Sequence, residues 1–345
     1  MERNLLNRVV AAATLAALLA LSGCTLPWRA NGSGTTRPPG TRLDLPRGDL
    51  AAVAWLPDGY LYTLRQPPDV GTPTEIWRAR PGQKASRLTL PGMEGCTRVD
   101  YLLPHALPDG RLGLARFCQA EQSRIDLVAA DPTSGRLEVL APLGDVNPTG
   151  VTWHRDLTTG FVTHGSGICD GFAPLTRQGP GSFGAPVTLD GHTWALDEDF
   201  RRSGADDCRA DGRAFAATLT PDGQRLLFLA VPQAQGHSGQ RRIDFPTSVW
   251  VRDLPDGKPH VLARGFTTTT GMAIDPDGRH LAIAGRRGDQ HGVWLVDTGT
   301  GATRTITGAS LYGAVFSPDG RQLAALYRPG KYEDFDAQLW VFDAP

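Results

Sequence analysis

The chain has 345 residues, with 35 Lys and Arg against 36 Asp and Glu and a net charge of −1. That balance, with no basic run, lacks the electropositive footprint that a nucleic-acid partner leaves, so none is expected. The length is ample for a large core.

The first element is a short polar, net basic start (Glu2, Arg3, Asn4, Arg8), followed at 9–21 by an apolar run broken only by Thr14. Thirteen residues are too few to cross a hydrocarbon core about 30 Å thick, so the run reads as a signal-peptide h-region. It ends in Leu21-Ser22-Gly23-Cys24, which resembles the bacterial lipobox. The resemblance implies removal of residues 1–23 and acylation (palmitate or a similar chain) of Cys24. Two or three acyl chains would hold a lipoprotein stably on the extracytoplasmic side of the cell membrane. Residues 24–40 are rich in Gly, Pro, Ser and Thr and read as a lipidated tether. No other stretch approaches a transmembrane span.

The domain from 41 to 345 is built on a repeat. Trp55-Leu-Pro-Asp-Gly59, Ala106-Leu-Pro-Asp-Gly110, Leu219-Thr-Pro-Asp-Gly223, Ile274-Asp-Pro-Asp-Gly278 and Phe316-Ser-Pro-Asp-Gly320 each separate two strand-like runs. Pro presets φ, Asp caps its own turn and Gly accepts a positive φ, so each copy predicts a hairpin. The repeated aspartates are 51, 113, 55 and 42 residues apart. The double interval predicts a degenerate copy between 109 and 222, and the run 151–156 followed by 159–163 fits that place. A third strand follows in each unit, often ending in an acidic residue, and a fourth after a short turn. Units of four antiparallel strands, with an apolar period of two, predict a six-bladed all-β propeller. The last unit stops after its third strand, and the segment 41–46 resembles the missing fourth. An N-terminal strand in the C-terminal blade would close the ring and remove an open edge.

The Pro-Asp-Gly repeat and the acidic third-strand ends resemble the WD-like repeats of TolB-type propellers over essentially all of 41–345. The resemblance implies the fold and says little of function, because propellers host binding, scaffolding and several chemistries. No segment corresponds to TolB's separate N-terminal domain.

The a–b and c–d turns are short, which leaves the long segments 191–212, 232–246 and 328–336 on the opposite face, where binding residues concentrate. Four cysteines remain beyond Cys24, and an exported chain makes disulfides the default. Of three pairings, the positions on the looped face favour Cys96 with Cys118 and Cys169 with Cys208, each worth roughly 3 kcal/mol. Asp170, Asp197, Asp199, Asp206, Asp207, Glu333 and Asp334 supply oxygen-rich clusters that would suit calcium, or a solvated rim paired with Arg201, Arg202, Arg241 and Arg242. Trp194 and Tyr332 add aromatic contact area to the same loops. There is no nucleophile elbow, no H-E-x-x-H, no P-loop and no dinucleotide fingerprint. No catalytic residue or resident cofactor is therefore expected. The reading is a monomeric, non-enzymatic lipoprotein that binds a protein or cell-envelope component. The alternative is a metal-assisted lyase or hydrolase working at the central channel.

Overall fold

The computed structural model describes residues 37–67, 72–144, 146, 148–165, 170–180, 187–189, 192–194, 212–232, 247–254, 257–328 and 337–344. Every regular element among them is a strand, and the strands are antiparallel hairpins taken in order. After β1 (Thr41–Arg42), the first sheet contains β2 (Asp49–Trp55), β3 (Leu61–Gln66), β4 (Glu75–Ala79) and β5 (Ser86–Leu88). The second contains β6 (Arg98–Ala106), β7 (Leu112–Gln119), β8 (Arg124–Ala130) and β9 (Leu137–Gly144). The third contains β10 (Pro148–Trp153), β11 (Thr159–Gly165), β12 (Asp170–Thr176) and the two-residue β13 (Gly179–Pro180), and a separate hairpin pairs β14 (Val187–Leu189) with β15 (His192–Trp194).

The next two repeats do not separate into two sheets. β16 (Gly212–Leu219), β17 (Arg225–Pro232), β18 (Thr247–Asp253), β19 (His260–Ile274), β20 (His280–Arg287), β21 (Gln290–Asp297) and β22 (Thr303–Thr307) form one seven-stranded sheet. The cause is β19. Its first half pairs with β18 and its second half with β20, with the changeover at Phe266. Gly265 takes φ +93° there, a conformation that bends a strand without a side-chain penalty, so the chain turns without leaving the ladder. The last sheet contains β23 (Leu311–Phe316), β24 (Gln322–Tyr327) and β25 (Gln338–Asp343), with β1 as its outer strand. The expectation of six four-stranded blades is thus corrected: the described residues form four such sheets, one of seven strands and the two-stranded hairpin.

The sheets stack on one another through alternate side chains, and most apolar clusters lie between two neighbours. One fills the seven-stranded sheet, where Leu229 and Val249 meet Ile283 and Trp294. Leu64, Ile76, Leu114 and Val128 join the first sheet to the second, and Leu127, Leu140, Trp153 and Val162 join the second to the third. Phe161 of β11 packs against Phe228 and Trp250. Leu295 and Ala284 meet Trp340 and Phe342, while Leu339 and Val341 meet Leu50 and Trp55. A strand that is apolar on both sides is what such stacking demands, and Leu112 to Cys118 is buried without interruption. The first strands also touch in sequence: β2 with β6, β6 with β10, β10 with β16, β16 with β19, β19 with β23, and β23 with β2.

Candidate binding face

The turns between first and second strands form one face, and hydrogen bonds close them. Gly59 N donates to Leu56 O at 2.9 Å, and the equivalent bonds recur at Gly110, Gly223, Gly278 and Gly320. The degenerate copy makes the same turn. Leu157 N donates to His154 O at 2.9 Å, and Leu157 takes φ +56° in the glycine's place. Successive turns also nest: a Cβ on Gly110, Gly278 or Gly320 would lie 3.6, 3.0 or 3.4 Å from Pro57, Pro221 or Pro276 of the preceding repeat. The acidic ends of third strands cap the outer turns on this side. Asp131 accepts from Thr133 N and Ser134 N, and Asp297 from Gly299 N and Thr300 N. This face is therefore filled by its own turns.

The opposite face, where first strands begin, is built differently. Asp49 opens β2 and pairs with Arg328, which follows β24 of the last sheet. Arg328 in turn lies 5.6 Å over the Tyr312 ring, and the Tyr312 hydroxyl donates to Leu50 O at 3.3 Å. Burial raises the Asp49 pKa, and the Arg328 charge and hydrogen bond oppose that rise. Asp100 in β6 occupies the matching place. It is 2 % exposed, pairs with Arg98 at 2.6 Å and accepts from Thr74 N of the first sheet at 3.2 Å. Glu75 pairs with Arg65 at 2.7 Å and Arg87 at 3.1 Å. Burial works against its charge, but hydrogen bonds from Trp77 and Arg65 and the two guanidinium charges hold its carboxyl below the usual range. Cys96 and Cys118 are joined as a disulfide, Cα–Cα 5.5 Å, which ties the connection before β6 to the end of β7.

Asp49 and Asp100 thus bind beyond their own sheets, while Glu75 binds within the first. Asp49 and Asp100 both stand nine residues before a repeat aspartate, Asp58 and Asp109. That spacing was the available signal, and the reading by motifs passed over it. It also passed over a bulge six residues before the repeat aspartate, where Ala52, Leu103, Ala216 and Gly313 all take φ between +49° and +64°.

The candidate loop residues are placed as follows. Asp170 sits in β12 opposite Gly165, and Trp194 in β15 opposite Val187; their side chains lie outside the described residues. Asp197, Asp199, Arg201, Arg202, Asp206, Asp207, Arg241, Arg242, Tyr332, Glu333 and Asp334 lie outside them too, as do Cys24, Cys169 and Cys208. Of the first-strand polar groups, Arg98 is held by Asp100, and the Thr149 hydroxyl lies 3.4 Å from that of Thr163. His105 is a packed residue: Nδ1 lies 2.9 Å from Leu103 O, and the ring covers Gly113. Burial pushes its pKa down. His280 pairs with Asp275 at 2.9 Å on the turn face. Among the described residues, no three His, Cys, Asp or Glu side chains gather as a metal-ligand set.

Solved structures share this arrangement. TolB from Acinetobacter baumannii superposes with a TM-score of 0.50 at 17 % identity, over 86 % of this chain and 64 % of that one. A putative TolB from Agrobacterium tumefaciens gives 0.50 at 15 % identity, over 90 % and 93 % of the two chains. Regucalcin from Agrobacterium tumefaciens gives 0.51 at 13 % identity, over 87 % and 93 %. The fold is a β-propeller. Its blades are four-stranded and antiparallel, and its relation to TolB and similar propellers is one of architecture. The chain spans less than two thirds of the Acinetobacter TolB. No protein-family model matches the sequence. No curated protein matches it either.

Proposed function

We propose that this propeller is a lipid-anchored, extracytoplasmic binding module that recognises a protein or cell-envelope component through its looped face. In this reading the seven-stranded sheet is two blades sharing β19, which gives six blades, and β1 closes the ring on β25. The cyclic contacts of the first strands support that count, as do the pairs Thr41–Val341 and Arg42–Trp340. The lipobox-like Cys24 supports the anchor.

One observation carries the binding reading. At the mouth of the looped face, Asp49, Asp100 and their arginines are spent on links between neighbouring sheets. Groups so paired make a rigid platform for loops, whereas a general acid or base must be free to exchange its proton with a substrate. Long segments on a rigid scaffold are where recognition resides.

The test is crosslinking and affinity capture from native membranes, with the mature protein and a variant carrying Asp206, Asp207, Arg241 and Arg242 changed to Ser. A partner held by the wild type and lost by the folded variant supports the reading. No partner for either sinks it, and metal analysis of the channel would then take up the enzymatic alternative. Palmitate labelling with a Cys24→Ser control tests the anchor on its own.

A further inference from the structure

Beside β1 the chain makes a shallow cleft lined by Arg42, Leu43, Leu45, Pro46, Arg47, Ala337 and Gln338. Arg37, Arg42 and Arg47 are all exposed along this edge. The Arg37 guanidinium stacks 4.9 Å from the centre of the Trp340 ring. Residues 24–47 hold four arginines (Arg29 is the fourth) and a single acidic residue, Asp44, although the whole chain has a net charge of −1. The segment thus carries a net charge of +3 in a chain that is −1 overall.

We propose that this edge seats on an anionic phospholipid surface and sets the tilt of the propeller on the membrane. The inference rests on the lipid-anchor reading. Arg37 stands thirteen positions after Cys24, so an acylated Cys24 keeps Arg37 within about 45 Å of the bilayer even at full extension. Tethering makes the encounter effectively intramolecular, so weak contacts suffice. Guanidinium groups recognise phosphate with planar, paired donors. Each arginine near an anionic surface contributes about five-fold in partition. The half-buried Leu45 and Pro46 between the arginines add apolar area at headgroup depth.

The experiment is hydrogen–deuterium exchange on the mature protein in two vesicle types, pure phosphatidylcholine and an equimolar mixture with phosphatidylglycerol. Amides of 41–47 should exchange at least about five-fold more slowly on the anionic vesicles, the contribution of a single arginine. High salt should remove the difference, and so should an Arg37→Gln/Arg42→Gln/Arg47→Gln variant with unchanged thermal stability. Equal exchange on both vesicles overturns the proposal, and would mean that Asp44 or the acidic residues of 329–336 cancel the arginines. Protection by millimolar inorganic phosphate equal to that by vesicles also overturns it, in favour of a free-anion cleft. The mass of the N-terminal peptide reports acylation separately. If the acyl group is absent, co-sedimentation with the same two vesicle types decides. Binding to the anionic type that the variant loses supports the proposal, and equal binding overturns it.

Discussion

At the scale of single residues, the structure keeps L-residues in the left-handed region where its repeat needs a bulge. Ala52 and Ala216 pay a conformational penalty there that glycine avoids. Ala52→Gly should therefore raise stability by about 1 kcal/mol in urea titration. Ala51→Gly, one residue earlier in the same strand at ordinary φ, should lower it by a similar amount. His105 gives a pH dependence. Its pKa is lowered by burial, with the Leu103 carbonyl bond opposing. The folded state therefore binds fewer protons than the unfolded chain below the unfolded value, about 6.5. Stability is full above that value and declines as pH falls from it toward the lower folded pKa. Thermal midpoints measured from pH 7 to pH 5 should fall, and His105→Asn, which keeps a donor for Leu103 O, should flatten the slope. The bulge recurs at a fixed spacing, but Ala52, Leu103 and Ala216 share no residue signature that announces it, whereas a lone histidine near the turn end of a first strand reads as structural.

At the scale of elements, the hairpins were legible because each Pro-Asp-Gly copy carries its own turn chemistry. The degenerate copy was found by interval, and Leu157 shows that the turn geometry persists without the glycine. The merger of two repeats at β19 was not legible. Arg264-Gly265-Phe266 looks like a break, yet Gly265 bends the strand while Ala263 pairs with β18 and Phe266 with both β18 and β20. The disulfide between Cys96 and Cys118 closes a span of 22 residues on the looped face. Cys96→Ser/Cys118→Ala should lower unfolding free energy by roughly 3 kcal/mol in denaturant titration. Reduction of the wild type should reproduce most of that loss.

At the scale of the whole molecule, the sheets hold together through the clusters between them. Leu43 is 4 % exposed and packs with Leu339, Val341 and Leu50, and its N–H donates to Leu339 O at 2.8 Å. If β1 closes the ring, Leu43→Ala should cost about 2–3 kcal/mol and lower the midpoint of one cooperative transition followed by far-UV circular dichroism. A separate early transition confined to the terminal sheet would argue that β1 is only an edge strand.

The sequence by itself determined what local chemistry encodes: the turns, the strands with their period of two, the repeat interval and the pairing of β1 with the last sheet. Each of these depends on residues close together in the chain or on a pattern that recurs. Only the tertiary structure decided which charges are spent. Asp49 meets Arg328 across 279 residues and Asp100 meets Thr74 across 26. Such partners are set by how blades stack, and no local spacing in the sequence names them. Pairing within the second sheet laid the His105 ring over Gly113, and the pairing of β1 with the last sheet placed Arg42 and Arg47 along one exposed cleft. Desolvation and long-range charge pairing act through space, so they become readable only once the sheets are side by side.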